Sequence, residues 1–295
     1  MKALPFKGSC TALVTPFSKD GSINYDVFAK LIECQIANGT DAIVICGTTG
    51  ESSTLTNDER ERLFSFGAEC VHGRVPVIAG TGSNDTAHTV SLSKYAMGAG
   101  ADALLVVTPY YNKASQNGLI KHFCAVADST SLPVILYNVP SRTGVNIQTD
   151  TYKALSRHRN IVAVKEASGD ISAIARLAAE CKDELHIYSG NDDQTVPILA
   201  LGGKGVVSVL SNIVPREMHD LCMLWFEGKT GEALELFLKL LDLMNSLFID
   251  VNPIPVKAAL KLMGHNVGGY RMPLTEMPES KLKILQSSMK ALNLI

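Results

Sequence analysis

The sequence has almost no surplus of either charge and no long apolar run. Its 27 Lys and Arg against 29 Asp and Glu give a formal net charge of −2. Proteins that attract nucleic acid or anionic membranes electrostatically carry a basic surplus. No stretch approaches the roughly 18 apolar residues that span a bilayer, and Pro5 and Lys7 stand where a signal peptide has its apolar segment. We therefore expect a cytoplasmic protein with neither nucleic acid nor membrane as a partner.

The sequence also lacks the pairs of ligands that mark metal sites. Its seven cysteines are scattered without a CxxC pair, and its seven histidines show no metal-ligand spacing. Scattered thiols are typical of a reducing compartment. The glycine-rich segment 98–103 has dinucleotide-loop spacing, but it precedes an apolar run instead of following one. The expectation is therefore a protein without a metal site.

What the chain does have is an alternation of short apolar runs with helix-like stretches. With 46% hydrophobic residues it has ample material for a core. Strands alternating with helices predict βαβ units and a parallel sheet covered on both faces. Eight units in this length favour an α/β fold of the (β/α)8 TIM-barrel type over a doubly wound open sheet. The eight runs are Ser9–Val14, Asp41–Cys46, Pro76–Ala79, Ala103–Val107, Pro133–Tyr137, Ile161–Lys165, Leu185–Tyr188 and Gly205–Val209.

The alternation stops after Pro215, where helix-like stretches follow one another without strands. We therefore divide the chain into a catalytic barrel, residues 1–225, and a C-terminal helical subdomain, residues 226–295.

Earlier in the chain, Thr56 is followed three residues later by Glu59. This spacing predicts a capping box at the start of the second helix.

Lys165 is the most informative single residue, because it ends the sixth apolar run. In a strand, Ile161, Ala163 and Lys165 share one face. If that face is the barrel interior, burial favours a neutral amine, which can attack a carbonyl and form a Schiff base. The alternative is a lysine at the end of a strand that reaches solvent or pairs with Glu166.

Three other polar groups follow strand ends, where barrel active sites lie. Tyr137 could move protons beside an imine, or simply lie at the barrel rim. The loop Gly47–Gly50, with Thr48 and Thr49, offers amides and hydroxyls that suit a small carboxylate, although such turns also serve conformation alone. Arg142 could hold a second carboxylate, or lie on the surface in solvent.

Taken together, three ordered motifs resemble the dihydrodipicolinate synthase family, within the superfamily of pyruvate-dependent aldolases that includes N-acetylneuraminate lyase. The motifs are Gly47–Ser52, Tyr137–Gly144 and Val164–Asp170, and the resemblance extends over essentially the whole chain. Thr49 and Arg142 favour the synthases over the neuraminate lyases, which usually have serine first in the glycine loop.

The resemblance implies condensation of pyruvate with L-aspartate 4-semialdehyde, the first committed step of the diaminopimelate route to lysine, without a metal or organic cofactor. It implies that Lys165 forms the Schiff base and that Tyr137 moves protons, linked through Thr48 to Tyr111 of a neighbouring subunit. A homo-oligomer follows, and a tetramer built from tight dimers is common in the family. The resemblance assigns carboxylate or pocket contacts to Thr49, Arg142, Gly190 and Val207.

The family often carries an inhibitory L-lysine site, which Ser52, Asn84 and Tyr110 match. Asn57, Arg60 and His88 depart from the pattern of lysine-sensitive members, and Arg60 adds a charge that repels an ammonium group. We expect weak or absent inhibition by L-lysine; half-inhibition at submillimolar L-lysine would contradict this.

Two other functions stay open at the level of the sequence. One is a related pyruvate-dependent lyase acting on N-acetylneuraminate or a sugar acid, which a substrate panel distinguishes. The other is a non-catalytic barrel that binds a small carboxylate, although such a protein has no need of Lys165.

Overall fold

The computed structural model describes residues 2–181 and 184–295 of the chain. Eight parallel strands close into a barrel in chain order, and β8 pairs with β1. The predicted TIM barrel is therefore confirmed. The strands are β1 Gly8–Ala12, β2 Ala42–Ile45, β3 Val77–Gly80, β4 Ala103–Val107, β5 Val134–Asn138, β6 Ile161–Glu166, β7 His186–Ser189 and β8 Gly205–Ser208.

The strands separate two apolar clusters, one inside the barrel and one between strands and helices. Val44, Ile135 and Val207 belong to the inner cluster, whereas Ile43 and Val164 belong to the outer one. Successive residues of a strand point to opposite faces, so a strand covered on both sides must be apolar along its length. This requirement explains the near-continuous apolar runs in the sequence.

Twelve helices accompany the strands within the described residues, and the predicted capping box of Thr56 and Glu59 is present. They are α1 Tyr25–Ala37, α2 Asn57–Val71, α3 Thr86–Gly98, α4 Gln116–Asp128, α5 Pro140–Thr143, α6 Thr149–Ser156, α7 Ile171–Cys181, α8 Thr195–Ala200, α9 Pro215–Phe226, α10 Thr230–Ser246, α11 Ile254–Leu262 and α12 Glu279–Ala291.

Two of the connections that follow strands contain short helical segments. The loop after β5 contains the short helix α5, and the stretch after β7 is broken into a 3-10 turn, Asp192–Gln194, followed by α8. The break occurs because the carboxylate of Asp192 is buried and accepts hydrogen bonds from the backbone of Val209 and Leu210 at 3.0 and 2.9 Å. Burial raises the pKa of this carboxyl, while these bonds oppose the rise.

The helices after β8 lie against the barrel. Helix α9 packs on β1, and α10 packs along α9. The boundary at residue 225 remains a prediction. Among the described residues, no helix combines the length and apolarity needed to cross a membrane.

Candidate active site

The strands end, on their carboxyl side, around an enclosed cavity of about 150 Å³. In barrels of this type the loops on this face build the active site. The predicted residues that line the cavity are Thr48, Thr49, Tyr137, Arg142, Lys165 and Gly190. Residues from five places in the sequence therefore meet in one small space.

Lys165 lies inside the barrel wall with only 5% of its surface exposed. Its Nζ is 4.3 Å from the centre of the Tyr137 ring, since the two residues are register partners on β5 and β6. The pairing with Glu166 that the sequence left open does not form. The Glu166 carboxylate accepts hydrogen bonds from the Tyr152 hydroxyl at 2.7 Å and from the Asn138 side chain at 3.0 Å. The amine of Lys165 is thus left facing the cavity.

Tyr137 and Thr48 bring two hydroxyl groups to the same cavity. Tyr137 is 6% exposed, and Thr48 sits in the loop after β2 at intermediate exposure. Within residues 2–181 and 184–295, neither hydroxyl has a hydrogen-bonding protein partner. Both remain available to a bound molecule, which is what proton transfer to a reacting group requires.

The glycine loop is held by two distant parts of the chain. The Thr49 hydroxyl accepts a 2.9 Å hydrogen bond from the Asn252 side chain, so its own proton is free for another acceptor. The Gly50 carbonyl accepts a 2.6 Å bond from the Thr15 hydroxyl. Glu51 follows in the left-handed backbone region, with φ 55°, which is uncommon for a residue other than glycine.

A fully buried ion pair anchors Glu51. Its carboxylate lies 2.7 Å from the Nζ of Lys257, and both side chains have no exposed surface. The ammonium also donates to the carbonyls of Thr15 and Gly269, and Phe17 lies beneath it at 4.4 Å. Burial lowers the pKa of Lys257, and the Glu51 charge opposes that fall. Helix α11 thus holds the carboxyl end of the glycine loop.

Arg142 stands at the mouth of the cavity on helix α5. Pro140 begins this helix, as is usual for the first turn, and Gly144 ends it in the left-handed conformation. The guanidinium is exposed, with a long contact of 3.5 Å to the Asn252 carbonyl. It can therefore reach an anion that enters the cavity.

Gly190 lines the cavity at a position where no side chain would fit. A Cβ at this position would lie 2.6 Å from the Cβ of Ala167 and 3.0 Å from the Glu166 carbonyl. Val207 is different: it is 1% exposed on β8 within the inner apolar cluster, and the cavity wall on that side is Val209. The predicted pocket contact of Val207 stays a prediction.

Tyr111 lies outside the cavity of its own chain. It is 89% exposed, and its backbone has a φ of 74°. The adjacent Asn112 amide donates to the Tyr110 carbonyl at 2.9 Å, so the chain turns tightly around Tyr111. A large exposed aromatic side chain on a strained turn is well placed to contact another molecule.

A second cavity of about 260 Å³ adjoins the first. Of the predicted effector residues, Ser52 and Tyr110 line it, whereas Asn84 does not. Three positions differ from the pattern of lysine-sensitive members. Of these, Arg60 is buried and lines the second cavity, whereas Asn57 and His88 lie on helices outside it. Three of these six residues, Ser52, Tyr110 and Arg60, therefore line one cavity.

The C-terminal helical region supplies site residues that the sequence analysis missed. Asn252 and Phe248 line the first cavity, and Lys257 holds the glycine loop. The segment Asn252–Pro255 breaks the helical pattern with two prolines, which is the only local signal of a special role. In the described part of the chain, no three His, Cys, Asp or Glu side chains meet as metal ligands.

Comparisons with known proteins show the family of this chain. Residues 5–292 match the sequence profile of the dihydrodipicolinate synthetase family. The chain is 56% identical over 290 residues to a 4-hydroxy-tetrahydrodipicolinate synthase of Clostridium perfringens (strain SM101 / Type A), covering 98% of this chain and 99% of the relative. A crystal structure of a dihydrodipicolinate synthase superposes with a TM-score of 0.96 at 47% identity, over 98% of this chain and all of the other.

A further similar structure is described as a monomeric dihydrodipicolinate synthase variant. It has a TM-score of 0.96 at 42% identity and covers 99% of this chain and 98% of its own. The fold, the motifs and the sequence match over nearly the whole length, and this chain therefore belongs to the dihydrodipicolinate synthetase family.

Proposed function

We propose that this chain is a 4-hydroxy-tetrahydrodipicolinate synthase, a lyase that condenses pyruvate with L-aspartate 4-semialdehyde through a Schiff base on Lys165. The observation that carries the proposal is the buried amine of Lys165 beside Tyr137, in a cavity that also holds Thr48, Thr49 and Arg142. An amine nucleophile, a proton shuttle and two carboxylate holders are what imine-mediated aldol chemistry needs.

The steps balance with these groups. The Lys165 amine adds to the ketone carbon of pyruvate and water leaves, giving an imine. Loss of a methyl proton gives an enamine, whose carbon attacks the aldehyde carbon of the semialdehyde. The semialdehyde's own amino group then attacks the imine carbon, closes the ring and expels Lys165. One water is released overall, and Tyr137 carries the protons to and from the reacting atoms.

The two carboxylates have separate holders in this proposal. The pyruvate carboxylate accepts hydrogen bonds from Thr49 and the loop amides, because the Asn252 contact leaves the Thr49 proton free. The semialdehyde carboxylate pairs with Arg142 at the cavity mouth. Gly190 leaves room for pyruvate where any side chain would clash, and Val207 is proposed to contribute its carbonyl from beneath.

Reduction with borohydride in the presence of pyruvate tests the nucleophile directly. We expect the peptide that carries Lys165 to gain the mass of pyruvate less one oxygen atom, because reduction fixes the imine as a secondary amine. Mass spectrometry of the digested protein measures it. If Lys165 stays unmodified in protein shown to be folded, the imine with pyruvate does not form and the proposed mechanism is wrong. With the adduct in hand, a panel of aspartate semialdehyde and sugar aldehydes distinguishes the synthase from a sugar-acid lyase.

The proposal includes a homo-oligomer, as a tetramer of tight dimers, in which Tyr111 of one subunit completes the relay through Thr48 of its neighbour. The exposure of Tyr111 supports this arrangement. Tyr111→Phe is expected to lower kcat by about tenfold. This is less than the 10²–10⁴-fold typical of direct proton transfer, because the hydroxyl acts through Thr48.

Mixed oligomers give the sharper test. Co-expressed Lys165→Ala and Tyr111→Phe chains form some dimers in which one site has both an intact Lys165 and an intact Tyr111 from the other chain. We expect activity well above the sum of the two parent variants. Activity no greater than that sum, in mixed oligomers verified by sedimentation and affinity tags, would place Tyr111 outside the neighbouring site.

A further inference from the structure

The first cavity is rich in hydrogen-bond donors and has no negative charge in its wall. Thr48, Tyr137, Arg142 and Lys165 line it and can donate, and none of the described residues in its lining is acidic. The proposed second substrate carries an ammonium group besides its carboxylate, and an ammonium group has donors only. Arg142 holds the carboxylate in this proposal, so the ammonium group needs an acceptor elsewhere.

Asn191 supplies such an acceptor. It lines the first cavity just after β7 and is half-buried, and its Oδ1 accepts no hydrogen bond from the described residues. Its Nδ2 donates to the Oε1 of Gln194 at 3.2 Å, and the Nε2 of Gln194 donates to the Gly169 carbonyl at 3.0 Å. This chain of amides fixes the orientation of the Asn191 side chain and leaves its oxygen, rather than its nitrogen, available to a ligand.

The other amide side chain of the wall is less available. Asn252 donates to the Thr49 hydroxyl at 2.9 Å, and its Oδ1 is buried. The backbone of Asn191, in contrast, is held at the cavity by Ser189. The Ser189 hydroxyl donates to the Asn191 carbonyl at 2.6 Å and accepts from its amide at 3.3 Å. Asn191 is therefore the better acceptor for a bound molecule.

A third cavity, of about 280 Å³, adjoins the first on this side and adds a negative charge. Asn191 and Phe248 line both cavities, and Asp193 lines the third. In the described part of the chain Asp193 forms no salt bridge. Partial burial raises the pKa of this carboxyl, and a nearby ammonium group would lower it again. The side of the cavity at Asn191 thus attracts a cation.

The order of the strands places the two holders on opposite sides of Lys165. Arg142 follows β5, Lys165 lies on β6 and Asn191 follows β7, and these three strands are neighbours in the barrel. In the proposed reaction the amino group must attack the carbon that is bound to Lys165. An acceptor on the side away from Arg142 keeps the amino group beside that carbon.

We propose that Asn191 binds the ammonium group of the second substrate through Oδ1, with Asp193 as the nearby negative charge. This pair selects an amino-acid aldehyde over aldehydes that lack the amino group. The inference rests on the proposed function, in which Arg142 holds the carboxylate of the same molecule. A sugar aldehyde carries no ammonium group and therefore gains nothing from the charge of Asp193.

Two aldehydes that differ only in the amino group test the role of Asn191. L-Aspartate 4-semialdehyde carries the group; succinate semialdehyde lacks it, cannot close the ring, and is measured as a competitive inhibitor. We expect Asn191→Ala to lower kcat/KM for aspartate semialdehyde by roughly tenfold, because a hydrogen bond to a charged group is lost. The inhibition constant of succinate semialdehyde should not change. Arg142→Gln should weaken both, because both molecules carry the carboxylate.

Three further variants separate binding from structure. Asn191→Asp keeps an acceptor at the same position and should restore most of kcat/KM; a loss as large as in Asn191→Ala would show a structural role and overturn the proposal. Asp193→Asn removes the charge at constant size and should weaken aspartate semialdehyde selectively, which also decides the question if Asn191→Ala does not fold. The matched control is Asn117→Ala, which removes an exposed asparagine from α4 and should leave both constants unchanged.

Borohydride trapping with pyruvate distinguishes this inference from the proposed function. The variants of Asn191 and Asp193 should still form the adduct on Lys165, because the pyruvate step precedes the second substrate. Absence of the adduct in the native protein would overturn the proposed function. Normal trapping, together with equal losses for the two aldehydes in Asn191→Ala or with no loss for either, would overturn the assignment of Asn191 alone.

Discussion

Lys165→Ala is expected to lower kcat/KM by roughly 10³-fold or more, while the protein keeps its fold. The residue supplies the only amine in the cavity wall among the described residues, and without it no imine with pyruvate can form. The residual rate reflects the carboxylate holders and Tyr137, since removing a nucleophile usually leaves the catalysis due to binding and electrostatics. Steady-state kinetics with both substrates, alongside the borohydride assay, measures the loss.

Lys121→Ala provides the matched control, because it removes an exposed lysine from α4. It should leave kcat/KM and trapping unchanged. A Lys165→Ala variant that still gives a pyruvate adduct on another lysine would assign the nucleophile elsewhere. A Lys165→Ala variant that keeps the native rate would show that the reaction does not proceed through a Schiff base on this residue.

Lys257→Met is expected to destabilise the protein by about 3–5 kcal/mol, because it leaves the buried Glu51 carboxylate without its cation. The ammonium has five partners: the Glu51 carboxylate, two carbonyls and the rings of Phe17 and Tyr270. We also expect KM for pyruvate to rise, since Glu51 ends the loop that carries Thr49. Urea unfolding and pyruvate kinetics measure the two effects.

The double variant Glu51→Gln, Lys257→Met separates charge from packing. It should cost less than the sum of the single changes, because no isolated charge remains in the interior. The control is Lys261→Met on the same helix, whose 3.5 Å contact with Glu276 is partly exposed and should be worth less than about 1 kcal/mol. A loss of the same size in Lys257→Met and Lys261→Met would contradict the special role of the buried pair.

Most of the secondary structure could be predicted because its causes are local. The strands are buried on both faces, so most are near-continuous apolar runs, and helix α2 begins at the capping box of Thr56 and Glu59. The break at Asp192 could not be predicted, because its cause is hydrogen bonds from the backbone of Val209 and Leu210, which follow the next strand.

The candidate site likewise has one part that local sequence predicts and another that only tertiary contacts decide. Lys165 and Tyr137 lie at the carboxyl ends of strands and the glycine loop directly follows one, so their gathering at one face follows from the barrel topology. Whether the Lys165 amine enters the barrel or pairs with Glu166 was undecided from the sequence, because both contacts are open to a residue at the end of a strand. The structure decides it, since Tyr152 and Asn138 occupy the Glu166 carboxylate.

The sequence by itself therefore determined the strand and helix pattern, the barrel class and the polar groups at the strand ends, since these depend on the local period of apolar residues. Only the tertiary structure decided which distant groups support them. Asn252 reaches Thr49, and Lys257 reaches Glu51, across more than 200 residues of chain. Among the described residues, it also left the Nε atom of Arg60 buried without a hydrogen-bond partner. Such contacts depend on how the C-terminal helices and α2 pack against the barrel, and no local pattern encodes that packing.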